Sequence, residues 1–142
     1  MTRNSPDDAT RKDTSAVAAI EGLLALAAGR PRWAGGAALN NAGEAIARSR
    51  ALVAQSPGEH TELLARCLQT TARLLLARGR AVEALPLAQE AVALSRSTGG
   101  AALSVALRRL AQAQEALHRY SDAAATLAEA DRLRPSSDPP SD

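Results

Sequence analysis

Residues 79–96 read GRAVEALPLAQEAVALSR, and residues 117–135 read LHRYSDAAATLAEADRLRP. In the first stretch Ala84, Ala88 and Ala91 recur at steps of four and three behind the Gly79–Arg80 break, which is the period of one helix face. The second stretch repeats the pattern at an offset of 39, so that Ala45 maps to Ala84 and then to Ala123. The same offset maps Arg80 to Arg119 and, outside the two stretches, Leu64 to Leu103, Leu68 to Leu107, Ala72 to Ala111 and Ala77 to Ala116. Self-similarity at a fixed period is the mark of a repeat architecture. Alanine at these positions lets two helix backbones approach closely, and leucine one turn away fills the space beside the crossing.

Breaks at GRPRWAGG (29–36), SPG (56–58), Gly79–Arg80, Gly99–Gly100 and Tyr120–Ser121 divide the interior into six segments. The spacing predicts helices over 14–28, 37–55, 59–78, 81–97, 101–118 and 122–134. Links this short place neighbouring helices antiparallel. Residues 1–12 and 136–142 are polar and bear proline or serine, and they read as disordered tails around a helical domain at 13–135. Within that domain 13–55 forms a degenerate hairpin, and 59–98 and 101–135 form two full repeats.

The composition agrees. Of 142 residues 34 are alanine and 20 leucine, while Trp33 and Tyr120 are the only aromatics, so the core is built from small and aliphatic groups. Such a chain favours helices over a β-sandwich or barrel, and its apolar runs fall far short of the roughly 20 residues that span a bilayer. The net charge is only +2, with acids interleaved among the basic residues, which lacks the clustered basic face that nucleic acid requires. One cysteine, Cys67, allows no intrachain disulfide, and residues 1–15 carry no apolar leader; the expected compartment is the cytoplasm.

At 65–98 and 104–135 the pattern resembles the tetratricopeptide repeat, a helix-turn-helix unit with small residues at fixed positions. Leu68, Ala72, Leu75, Gly79, Ala84, Ala88 and Ala91 carry the likeness in the first unit. Leu107, Leu110, Ala111, Tyr120, Ala123, Leu127, Ala130 and Pro135 carry it in the second. The long period is similar to the longer repeats of bacterial regulators. The chain departs from the family at His118, which replaces the usual turn glycine, and at Pro86, which deletes a helix donor unless the helix effectively starts near Glu83. The resemblance implies an all-α right-handed superhelix of about three antiparallel hairpins, and a protein-interaction role.

No residue pattern supports a reaction, a cofactor or a metal. Cys67 falls on an apolar helix face beside Leu64 and Leu68 and reads as core, while His60 and His118 read as surface residues at helix ends. The glutamates are scattered over different helices, and GRPRWAGG lacks the preceding strand and the lysine of a phosphate-binding loop. The chain is expected not to be an enzyme.

In the family the first helix of each hairpin lines a concave groove. On 59–78 the outward positions are Arg66, Gln69 and Arg73; on 101–118 they are Arg108, Gln112 and Glu115, with Arg109 beside them. Guanidinium forks bind carboxylates and glutamine amides hold a peptide backbone, so the expected partner is an extended or acidic segment of another protein. The family's carboxylate clamp is not carried over, because its asparagines and lysines are missing here. A solvated charged face is the plain alternative. Trp33 is a second contact or a cover for the degenerate hairpin. Self-association into a homodimer and, less favoured, DNA binding complete the alternatives.

Overall fold

A computed structural model describes residues 6–29 and 35–133. They form six α-helices and no strand: α1 (Pro6–Gly29), α2 (Gly35–Gln55), α3 (Thr61–Ala77), α4 (Ala81–Ser95), α5 (Gly100–Ala116) and α6 (Tyr120–Arg132). The protein is all-α. Five of the six helices match the expected segments closely. The exception is α1, which takes in residues 6–12 from the stretch read as a tail. The Pro-Asp-Asp stretch of the sequence at 6–8 is compatible with a first helical turn, since a proline needs no donor there and acidic residue types are favoured near a helix N-terminus. Trp33 lies outside the described residues, as do 1–5 and 134–142.

The repeat period holds in three dimensions. Moving α3 along the chain by that period gives α5. The turn after each is the same: Arg78 and Arg80 donate to Leu75 O and Gly79 donates to Leu76 O, while Leu117 and Arg119 donate to Gln114 O and His118 donates to Glu115 O. This hydrogen-bond pattern closes a helix only if the residue after the cap is left-handed. Gly79 has φ 72°, and His118, standing where the glycine would be, has φ 60°. Leu68 and Leu107, Ala72 and Ala111, Ala84 and Ala123, and Ala91 and Ala130 are buried in matching pairs.

Each helix packs on the next in sequence. Beyond that, α1 touches α3 and α3 touches α5, whereas among the described residues α2 does not pack on α4, nor α4 on α6. The odd helices form one closely spaced layer. The even helices are linked through charge instead: Arg50 of α2 grips Glu90 of α4, and Arg96 after α4 grips Glu129 of α6, the two acids standing one repeat period apart. Ile20, Leu24, Leu52, Leu63 and Cys67 fill the space between α1, α2 and α3. A larger cluster, including Leu75, Leu85, Val92, Leu103 and Leu107, joins α3 through α6.

Pro86 lies inside α4, which begins at Ala81 rather than near Glu83. The donor it lacks would have served Val82, and both residues are exposed, so water can satisfy that carbonyl. Cys67 is fully buried with its sulfur 3.1 Å from Ser49 Oγ, and burial pushes its thiol pKa up, as expected of a core cysteine. No described helix is long and apolar enough to cross a membrane.

Candidate partner-binding face

The layer of α1, α3 and α5 carries two adjoining hollows. One, of about 240 Å³, lies between α3, the end of α4 and the start of α5, and is lined by Glu62, Ala65, Arg66, Gln69, Leu94 and Val105 among others. The second, about 420 Å³, runs from Glu21, Leu24, Ala25 and Ala28 on α1 across Arg66, Gln69 and Thr70 to Val105. Arg66, Gln69 and Val105 are common to both, so α3 forms the ridge between them. Val105 is 55% exposed, a large apolar side chain left uncovered on this face.

The four arginines singled out in the sequence divide into two groups. Arg66 stands 3.6 Å from Glu21 of α1, and Arg108 donates to Asp131 of α6 at 3.0 Å, so each has a carboxylate near it. Arg73 and Arg109 have none among the described residues. Arg109 donates through Nη1 to Gln112 Oε1 at 2.7 Å, a neutral acceptor, while its Nε is buried without a partner. Burial, and then the neighbouring Arg73 cation, hold the Arg109 guanidinium below its ordinary pKa. An arginine does not release its proton under such pressure, so the strain is carried as an uncompensated charge. Gln69, one helical turn before Arg73, has a buried Oε1 with no donor.

The cationic surface is therefore narrower than four arginines. Its centre is Arg73 and Arg109 with Gln112, which line neither hollow and stand one helical turn or two along from Gln69 and Val105, which line both. Val105 had a sequence signal, since it stands one repeat period after Arg66 and so shares its register position. Glu21 and Asp131 had none. They reach Arg66 and Arg108 from other helices, and spacing within one helix does not reveal such partners.

His60 departs from its reading as a surface residue. Its side chain is only 13% exposed, its Nε2 is buried without a hydrogen bond, and Asp13 Oδ2 of α1 lies 3.9 Å away. The fold places α1 against the loop before α3, which covers the ring. The other histidine, His118, is exposed and bonds through Nδ1 to Tyr120 Oη at 2.7 Å.

Comparison with protein-family models, with curated proteins and with solved structures finds no match to the chain.

Proposed function

We propose that the protein is a non-catalytic interaction module of tetratricopeptide-like architecture, whose α1–α3–α5 face takes an extended acidic segment of another protein. The observation that carries this reading is the Arg73–Arg109 pair: two cations on neighbouring helices near enough to repel each other, one of them half-buried with an unpartnered Nε, and no carboxylate of the described chain paired with either. An acidic side chain would accept from both guanidinia in a partly desolvated setting, where charge-assisted hydrogen bonds are strongest. Gln69, whose Oε1 has no donor within the described chain, would turn its amide outward to accept from a peptide N–H, and an apolar side chain of the partner would cover Val105. The spacing of the odd helices supports the superhelical arrangement, because helices that touch on one side and are spread on the other curve a stack toward the touching side.

Self-association draws less support. The α5–α6 surface that would receive a second copy is internally paired, through Thr126 Oγ1 to Gln114 Oε1 at 2.8 Å and through Arg108 to Asp131. A surface whose polar groups already satisfy one another gains little from a partner.

The test is fluorescence anisotropy with labelled ten-residue peptides, one rich in aspartate and glutamate around a single leucine and one with the amide counterparts. Wild type should bind the acidic peptide with an affinity that falls as salt rises. Arg73→Glu and Arg109→Gln should each weaken it by about tenfold or more, the scale of one charge-assisted contact. Arg108→Gln, which removes a cation already paired, should change it little. Equal binding of the acidic and amide peptides, or equal loss in all three variants, removes the proposal.

A further inference from the structure

We propose that Asp13, Glu59 and His60 form a binding site for a zinc-class divalent cation that clips α1 to the loop leading into α3. The three residues come from two separate parts of the chain: Asp13 from the first half of α1, and the adjacent Glu59 and His60 from the link between α2 and α3. One ligand atom from each lies within 4.8 Å of the other two. Two carboxylates brought to one point repel each other, and a dication between them converts that repulsion into attraction.

The geometry of His60 gives the second, independent indication. Its Nε2 is buried and makes no hydrogen bond, so the ring has a lone pair or a proton with nowhere to place it. Asp13 Oδ2, at 3.9 Å, is too far to be that partner directly. Two donors bound tetrahedrally to one zinc ion stand about 3.4 Å apart, so the exposed Asp13 side chain closes on His60 by roughly half an ångström, and Glu59, within 4.8 Å of both, closes by at most about 1.4 Å.

The donor set selects the class of ion. One imidazole nitrogen with two carboxylate oxygens suits zinc and its neighbours, whereas calcium and magnesium prefer an all-oxygen shell. Room for the fourth ligand exists, because these residues line a cavity of about 330 Å³ with Thr10, Thr14 and Val17, and a water can complete the tetrahedron there. Thr14 Oγ1 is committed to Thr10 O and adds no ligand. The ion would fasten the N-terminal half of α1, which touches α3 far less than it touches α2, and so would stiffen the first helix of the partner-binding layer.

The experiment uses the untagged full chain after chelator treatment, titrated with zinc chloride by calorimetry and with cobalt(II) by visible absorption. Wild type should take up one zinc per chain and unfold at a higher temperature when loaded. Asp13→Asn and His60→Gln should each lose at least about tenfold in affinity, since even groups that only support a ligand are worth that much. Glu62→Gln, an exposed carboxylate near the loop but outside the cluster, should bind as wild type does. Absence of one-to-one binding by wild type overturns the proposal, and so does full retention of it in either cluster variant. Should circular dichroism show that His60→Gln has lost helix, Asp13→Asn decides, because that side chain is 41% exposed on a helix surface and its loss leaves the core intact.

Discussion

The pairs α3–α4 and α5–α6 share a register and a turn, yet the faces they present beyond themselves are opposite in character. Where α3–α4 has Leu75, Leu87 and Val92, the equivalent positions one period later in α5–α6 hold Gln114, Thr126 and Asp131. The first three face or adjoin the core cluster shared with the next pair. The second three turn polar and pair among themselves and with Arg108. The alanines at the crossings and the left-handed residue in the turn stay alike because they make the hairpin. The residues facing away vary with what they meet: Leu75, Leu87 and Val92 meet the apolar core shared with the next pair, whereas Gln114 and Thr126 are buried against each other and Asp131 is held by Arg108.

Exchanging residues across this register should expose the difference most sharply. Leu75→Gln removes a buried apolar side chain and leaves an amide with no partner in the core, a loss of about 3–5 kcal/mol in denaturant unfolding. Gln114→Leu, the reciprocal change, should cost no more than about 1 kcal/mol, because Thr126 keeps its bond to Asp122 O. Equal costs at the two positions would mean that the two pairs do not present different faces.

The turns give a smaller contrast. Gly79→Ala forces a side chain onto a backbone with φ 72° and should lose about 1–2 kcal/mol of stability by thermal unfolding. His118→Gly relieves the same conformation at φ 60° but surrenders the contact with Tyr120, so its effect should be near zero or a slight gain. A marked loss in His118→Gly would show that the histidine–tyrosine contact, rather than the backbone, holds the second turn.

The smallest effect concerns the outer layer. Arg50 donates to Glu90 and holds its carboxyl below the usual carboxylate range. A carboxylate whose folded pKa is lowered contributes stability above its unfolded value, near 4.3, and loses that contribution as pH falls through the lower folded value. Both partners are partly solvated, so Glu90→Gln should cost at most about 1 kcal/mol at pH 7, and the gap to wild type should close in acid. Denaturation curves at pH 7 and pH 3 measure both quantities. A gap that persists unchanged at pH 3 would assign the loss to packing.

Much of the fold was legible because it rests on residues that signal locally. Alanine at 84, 88 and 91 and again at 123 and 130, leucine at 68 and 107, and Gly79 each announce a face or a break within a few residues. The start of α1 was not legible, since Arg11, Lys12 and Asp13 are as suitable for a tail as for a solvated helix. The candidate face was legible in part. The helical spacing put Arg73, Gln69 and Gln112 on outward positions, but it could not tell a bare arginine from one neutralised by Glu21 or Asp131. Nor could it bring Asp13 to His60, which lie far apart in the chain and meet only when α1 lies against the loop before α3.

The most direct measurement is the side-chain N–H spectrum of the arginines by nuclear magnetic resonance while an acidic peptide is titrated in. The Nε–Hε signals of Arg73 and Arg109 should move together and saturate at one peptide per chain, while that of Arg108, held by Asp131, stays in place. Movement of Arg108 with Arg109 unchanged, or no movement of any arginine at saturating peptide, would contradict a partner site built on the unpaired cations of α3 and α5.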